Sequence, residues 1–254
     1  MSRLVRHPVL LHGFSGSSAS WTERLIDSLV GTAASPVLVD LPGHGLLPSS
    51  LAEGGVTLEA TLSQISASGI WPTDLLGYSM GGRVALHFAA NHPERVRSLV
   101  LESSSPGLAT EAERSARRAT DETLALRIEQ KGIENFVDFW ESLPLFESQR
   151  ALDTPILERQ RALRLQNDAR GVAAALRGLG TGSLPSLWDR LPEIRTRTLL
   201  LVGALDQKFV DVARSMAALM PHARLVMVPD AGHAVHLERP DAWLDAVKSF
   251  LVES

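Results

Sequence analysis

Six short apolar runs, each closed by glycine or polar residues, alternate along the chain with longer segments of helical period. The runs are Val9 to Leu11, Pro36 to Leu41, Asp74 to Leu76, Ser98 to Leu101, Thr198 to Val202 and Leu225 to Val228. Short apolar stretches of this kind suit strands covered on both faces. Between them, Trp21 to Val30, Leu58 to Ser68, Gly81 to Asn91, Asp211 to Met220 and Asp241 to Leu251 carry apolar residues three and four apart, as amphipathic helices do. Parallel strands need such crossovers, so the alternation predicts an α/β fold, a mostly parallel sheet with helices on both faces.

One interval breaks the rhythm. Between Glu102 and about Arg197 no strand pattern appears, and Ala112 to Glu129, Ile133 to Glu141, Pro155 to Leu165 and Val172 to Leu179 follow one another as helical segments. They are either an excursion of a single core or a cap lying over the strand C-termini, where open α/β sheets bind ligands. The cap is the sharper expectation. It divides the 254 residues into a core of 1–104 and 196–254 and a helical cap of 105–195. The apolar content of 44% is enough to bury a large core at this length.

Gly77-Tyr78-Ser79-Met80-Gly81-Gly82 stands directly between a strand run and a helical segment. G-x-S-x-G in that context is a nucleophile elbow, in which small flanking residues allow a sharp turn that exposes the serine hydroxyl at the sheet edge. The bland alternative is a glycine-rich turn whose serine merely caps the helix. A serine hydroxyl needs an imidazole to take its proton. Ala231-Gly232-His233, after the last strand run, supplies His233 as that base. A carboxylate must then orient the ring. Asp206 follows the turn Gly203-Ala204-Leu205 and is the choice, with Glu102 and Asp230 as competitors, while Asp211 reads as a cap of the next helix. His236 lies three residues after His233, but no third ligand accompanies the pair, so no metal is expected.

An oxyanion is stabilised by converging backbone N–H groups. One would come from Met80. The other would come from Phe14, in Leu11-His12-Gly13-Phe14-Ser15-Gly16, with His12 supporting that loop. In Asp40-Leu41-Pro42-Gly43-His44-Gly45, a proline and two glycines impose turn geometry, and Asp40 and His44 read as structural.

Composition removes several alternatives. The chain has no cysteine, which excludes disulfides, thiolate metal sites and a cysteine nucleophile. Its net charge of −4 gives no general attraction to nucleic acid. Met1 to Pro8 lacks the apolar region of a signal peptide, and no stretch approaches the roughly 20 apolar residues of a membrane span. A soluble, cytoplasmic protein that needs neither membrane nor cofactor is expected; its oligomeric state is open, with a monomer compatible.

With these motifs in hand, the chain resembles the α/β-hydrolase superfamily over nearly its full length. That resemblance implies a cap inserted after the sixth canonical strand. A narrower resemblance is carried jointly by several stretches, beginning with Leu11 to Gly16, Gly77 to Arg83, Glu102 to Leu108 and Phe139-Trp140 with Pro144-Leu145-Phe146. It continues through Arg164 with Asn167, Gly180-Thr181-Gly182 with Leu187-Trp188, Asp206 to Phe209 and Gly232 to Pro240. Together these look like the MenH family, 2-succinyl-6-hydroxy-2,4-cyclohexadiene-1-carboxylate synthase of menaquinone biosynthesis.

The resemblance implies a lyase that removes a proton from 2-succinyl-5-enolpyruvyl-6-hydroxy-3-cyclohexene-1-carboxylate and expels pyruvate without consuming water. Ser79, activated by His233 and Asp206, would then act as a base. The substrate carries three carboxylates, which arginine forks bind well. Arg83, Arg117 and Arg164 match the family's anion-binding positions, with Arg118 an alternative to Arg117. By the same resemblance Tyr78, Trp140 and Phe146 line the substrate pocket. Composition adds nothing here, since residues 111–170 hold nine arginines and one lysine against twelve acids. Two rivals share the motifs: a serine hydrolase acting on an ester, thioester or carbon–carbon bond, and a catalytically silent ligand receptor.

Overall fold

The computed structural model describes residues 7–30, 35–45 and 55–252. Six strands, β1 (Val9–Leu11), β2 (Val37–Val39), β3 (Thr73–Tyr78), β4 (Val96–Glu102), β5 (Arg197–Gly203) and β6 (Ala223–Val228), form one sheet of order β2-β1-β3-β4-β5-β6. Every pairing is parallel. The order reverses direction after β1, and β3 lies beside it with Leu11 opposite Gly77. Loops leaving the C-terminal ends of β1 and β3 therefore start side by side, the usual place for a ligand site in such sheets.

Alternate residues of the central strands enter different cores, as the period of two requires. Leu75, Leu99, Leu101, Leu200 and Val202 pack on one face with residues of α2 (Leu58–Ser68), α3 (Met80–Asn91) and α7 (Gln207–Leu219). Leu76, Val100, Leu199 and Leu201 pack on the other with α1 (Glu23–Val30) and α9 (Pro240–Val252), where Trp243 is buried. Each such side chain contributes about 1.5–3 kcal/mol of burial. That two-sided burial is why the strand runs lack polar alternation.

The helix after β5 starts earlier than its apolar period suggests. Asp206 Oδ1 accepts the Phe209 N–H at 3.4 Å and caps α7, so Asp211 lies inside the helix and does not cap it. Asp211 instead accepts from Gln207 Nε2 at 2.8 Å.

Between β4 and β5 the chain is helical. α4 (Glu111–Glu141) opens with a capping box, Thr110 and Glu113 each accepting the other's N–H, and breaks at Gly132, where φ is 79°. A 3₁₀ segment (Pro144–Ala151), α5 (Thr154–Leu165) and α6 (Ala169–Leu179) follow. α4 and α6 share a small core of Ala125, Ile128, Phe136, Val137, Val172, Ala173 and Leu176, against which Phe14 and Trp140 rest. Among the described residues no helix is long and apolar enough to cross a membrane.

Candidate active site

Ser79 sits between β3 and α3 with φ 51° and ψ −109°, a conformation a non-glycine residue holds only when its surroundings impose it. The surroundings are crowded backbone. A Cβ on Gly77 would lie 2.5 Å from Gly81 O, and one on Gly81 would lie 2.4 Å from Leu11 O. The Ser79 N–H donates to Glu102 O at 2.9 Å, tying the turn to β4. Its side chain makes no cap hydrogen bond to α3, so the reading of a mere helix cap fails. The hydroxyl meets His233 Nε2 at 3.0 Å.

His233 is 2% exposed, and its Nδ1 lies 2.7 Å from Asp206 Oδ2. An ionised carboxylate only accepts, so Nδ1 carries the proton and Nε2 offers its lone pair to the serine hydroxyl. Asp206 divides its oxygens between this bond and the α7 cap, which fixes its own rotamer. The competitors are elsewhere. Glu102 Oε1 accepts from the His236 backbone N–H at 3.0 Å and from His236 Nδ1 at 2.8 Å, while its Oε2 accepts from Trp243 Nε1. Asp230 is exposed in the turn after β6. His236 thus belongs to a buried dyad of its own, and among the described residues no group of three or more potential ligands gathers for a metal.

Phe14 and Met80 each stand three residues beyond the paired Leu11 and Gly77, so both amides lie at the same end of neighbouring strands. Neither donates to a protein acceptor among the described residues. His12 holds the first loop: its Nδ1 donates to Gly13 O at 2.8 Å and its Nε2 accepts the Leu41 N–H at 2.9 Å. Burial lowers the pKa of His12 and keeps the ring neutral, as this pairing requires. Asn167 Nδ2 donates to Ser15 O at 2.9 Å, and its Oδ1 accepts the Gly45 N–H at 2.9 Å, so one buried amide joins the first loop, the turn after β2 and the end of α5. Asp40 accepts the Ser18 N–H, and His44 packs edge-on against Phe14. Both are structural here.

Two lobes of a cavity meet at Phe14, Ser79, Trp140, Leu145 and His233. The narrower, about 60 Å³, is lined by Tyr78, Phe146, Gln149, Arg164 and His236. The wider, about 210 Å³, is lined by Arg83, Arg117, Thr181 and Lys208. Trp140, at the junction, and Phe146, in the narrower lobe, have ring centroids 5.8 Å apart. Burial raises the Tyr78 phenol well above its usual pKa, and Glu102 adds to the effect, so Tyr78 is a neutral donor.

The arginines differ in how they are held. Arg83 forms no ion pair among the described residues, and its Nε is sealed from solvent without a partner. Burial, and then repulsion from Arg117, push its pKa down to about 10, with Asp121 opposing. Arg117 donates to Asp121 Oδ1 at 2.8 Å. Burial raises the Asp121 carboxyl against the pull of both arginines, and its Oδ2 has no partner. Arg118 turns away, to Gly182 O and Glu111. Arg164 is 13% exposed, donates to Glu141 at 2.8 Å and lies over the Phe146 ring. Lys208, within the Asp206 to Phe209 stretch of the resemblance, also faces the cavity, as does Gln149; a lone glutamine gives no spacing signal by which to find it. The lobes place arginines on two sides of the His233 imidazole. That arrangement suits a small polyanion.

The family model described as alpha/beta hydrolase fold matches residues 9–240. The chain is 42% identical to a protein of Bacillus subtilis (strain 168) over 96% of this chain and 89% of that one. It is 31% identical to the 2-succinyl-6-hydroxy-2,4-cyclohexadiene-1-carboxylate synthase of Serratia proteamaculans (strain 568), over 96% of this chain and 92% of that protein. The solved structure of MenH from S. aureus superposes with a TM-score of 0.89 at 36% identity, covering 99% of this chain and 96% of that chain. The chain therefore belongs to the α/β-hydrolase family and, within it, to the 2-succinyl-6-hydroxy-2,4-cyclohexadiene-1-carboxylate synthases.

Proposed function

We propose that Ser79, His233 and Asp206 carry the synthase reaction of this family as a proton relay, with the two cation-bearing lobes holding the substrate across it. The substrate is 2-succinyl-5-enolpyruvyl-6-hydroxy-3-cyclohexene-1-carboxylate. As Ser79 Oγ takes the ring proton, its own proton passes to His233 Nε2, and Asp206 stabilises the imidazolium. The electron pair left on carbon is delocalised onto the succinyl carbonyl oxygen. The Phe14 and Met80 N–H groups receive that charge. The pair then returns to form the double bond between ring carbons 2 and 3, the existing 3,4 double bond shifts to carbons 4 and 5, the carbon–oxygen bond from carbon 5 to the enolpyruvyl group breaks, and the departing enolate gains a proton to become pyruvate. Atoms balance without water. The product is the conjugated 2-succinyl-6-hydroxy-2,4-cyclohexadiene-1-carboxylate.

The observation that carries this reading is the position of the Ser79–His233 hydrogen bond at the junction of two lobes, one with Arg164 and one with Arg83 and Arg117. A triad alone is equally suited to acyl transfer through a serine ester, so the relay does not separate lyase from hydrolase. The arginines do. A small neutral ester would leave the partly buried Arg83 guanidinium without an anion. Tyr78 donates to the same substrate, and Trp140 and Phe146 close over it.

The helical segment between β4 and β5 acts as a cap, residues 105–195, on a core of 1–104 and 196–254; this division is supported by Arg117, Trp140, Phe146 and Arg164 all lying on that segment and all facing the cavity. The partner is a small tricarboxylate, with no nucleic acid or membrane, and the enzyme works in the cytoplasm. Pyruvate release from the enolpyruvyl substrate, measured beside cleavage of p-nitrophenyl esters, tests the reading. Pyruvate formation in large excess over ester cleavage supports it. Brisk ester cleavage without pyruvate would overturn it in favour of a hydrolase.

A further inference from the structure

His233 is carried by no regular element. It lies between β6 and the single-turn helix α8 (Val235–Glu238), and the backbone there has neither a strand partner nor a helical ladder to hold it. A base that must keep its ring nitrogen 3.0 Å from a serine hydroxyl needs its peptide planes fixed.

Glu238 ends α8, and its side chain folds back beneath the loop, 4% exposed. Its Oε2 accepts the Gly232 N–H at 2.6 Å, and its Oε1 accepts the Ala234 N–H at 3.1 Å. These are the amides immediately before and after His233. Its own N–H donates to Ala234 O at 2.9 Å, closing the ring of contacts through the backbone. The other side of the loop is pressed against β5, where a Cβ on Gly203 would lie 2.1 Å from Gly232 O, and Leu205 N–H donates to Ala231 O at 2.9 Å. A buried carboxylate is costly unless its lone pairs are used. Here two of them are spent on the N–H groups of the residues on either side of His233, one in the peptide that leaves it and one in the peptide a residue before it.

We propose that Glu238 is a positioning residue for the base: a two-point carboxylate clamp on the N–H groups of Gly232 and Ala234, the residues on either side of His233, which keeps the imidazole aimed at Ser79. The proposal rests on the assignment of His233 as the base. Only a carboxylate of this length does the work. Glu238→Gln keeps the volume but turns one acceptor into a donor facing an N–H, and Glu238→Asp is too short to reach both amides.

The test compares wild type, Glu238→Gln and Glu238→Asp with Ile65→Ala, which destabilises the buried core at α2 and lines neither lobe of the cavity. The rate per folded molecule, kcat and KM are read on the enolpyruvyl substrate, and the low-field proton resonance of the His233–Asp206 hydrogen bond is followed by NMR. The clamp predicts kcat down by about 10- to 100-fold in Glu238→Gln with KM within about threefold, and the resonance shifted or lost. Glu238→Asp falls in between. Ile65→Ala loses melting temperature but keeps kcat and the resonance. Wild-type kcat and resonance in folded Glu238→Gln would overturn the clamp, as would a loss of kcat in Ile65→Ala matching that of Glu238→Gln. Should Glu238→Gln fail to fold, Glu238→Asp with unchanged kcat and resonance overturns it equally. Retained activity in His233→Ala would instead overturn the assignment of the base, so the two failures are distinguishable.

Discussion

Arg83 gives the sharpest quantitative expectation, because its two roles pull in opposite directions. It is a partly buried guanidinium with no ion pair among the described residues and a solvent-sealed Nε, and its pKa is pushed down to about 10 by burial and by Arg117. At neutral pH it is still charged. Its drop below the ordinary arginine value corresponds to at most about 3 kcal/mol of cost to the folded state. The cavity admits water and Asp121 offers partial compensation, so a net cost near 1 kcal/mol is the better expectation. Replacing it by methionine, which fills similar volume, should therefore raise the melting temperature by about 2–4 °C for a chain of this size. On the proposed function the same change removes a charged partner from a substrate carboxylate. Truncating one side of a desolvated charge pair costs about 2–5 kcal/mol, or about 30-fold to a few thousand-fold in kcat/KM. If the anion is held equally in ground and transition states, the loss falls on KM. Calorimetry and steady-state pyruvate release on Arg83→Met measure both. A melting temperature several degrees lower, or unchanged kcat/KM, would refute the assignment of Arg83 as an unpaired anion receptor.

Arg117→Ala and Arg118→Ala should separate cleanly: the first lowers kcat/KM at least about tenfold, while the second, whose partners are Gly182 O and Glu111, stays within about twofold in steady-state assays. Acid should destabilise the fold through buried histidines. The His44 pKa is pushed down to about 3 by burial and by neighbouring His12, so the stability it leaves intact above the unfolded-state value of about 6.5 is lost as pH falls from there toward about 3. His44→Phe should flatten that acid slope in melting curves taken between pH 7 and 4; an unchanged slope would show that His44 is not the group responsible.

What could be read from the chain follows from how local each signal is. The strand runs were visible because Leu75, Leu76, Leu99, Val100, Leu199 and Leu200 are buried on both faces and carry no polar alternation. Ser79, Asp206 and His233 stood out because each follows a strand run directly, and the structure brings their side chains together across 127 and 27 positions. The apolar period starts later than α7 itself because Asp206 caps the helix and orients His233 at once, and a turn residue with two tasks looks like a loop residue with one. The pairing of Arg164 with Glu141 was invisible, since 23 positions and a 3₁₀ segment separate them. Glu238 escaped notice for a different reason: acceptors of backbone N–H groups leave no pattern of side-chain types. The break in α4 at Gly132, by contrast, falls between the two helical segments that periodicity marks.

The central claim is that Ser79 serves as a base in an elimination. It is tested most directly by single-turnover mixing of enzyme with the enolpyruvyl substrate, with pyruvate and the ultraviolet absorbance of the conjugated diene followed together in wild type and Ser79→Ala. One diene per pyruvate is expected in wild type, with both slowed together at least about a thousand-fold in the variant. Pyruvate appearing without diene, or a variant that keeps the wild-type rate, would contradict it.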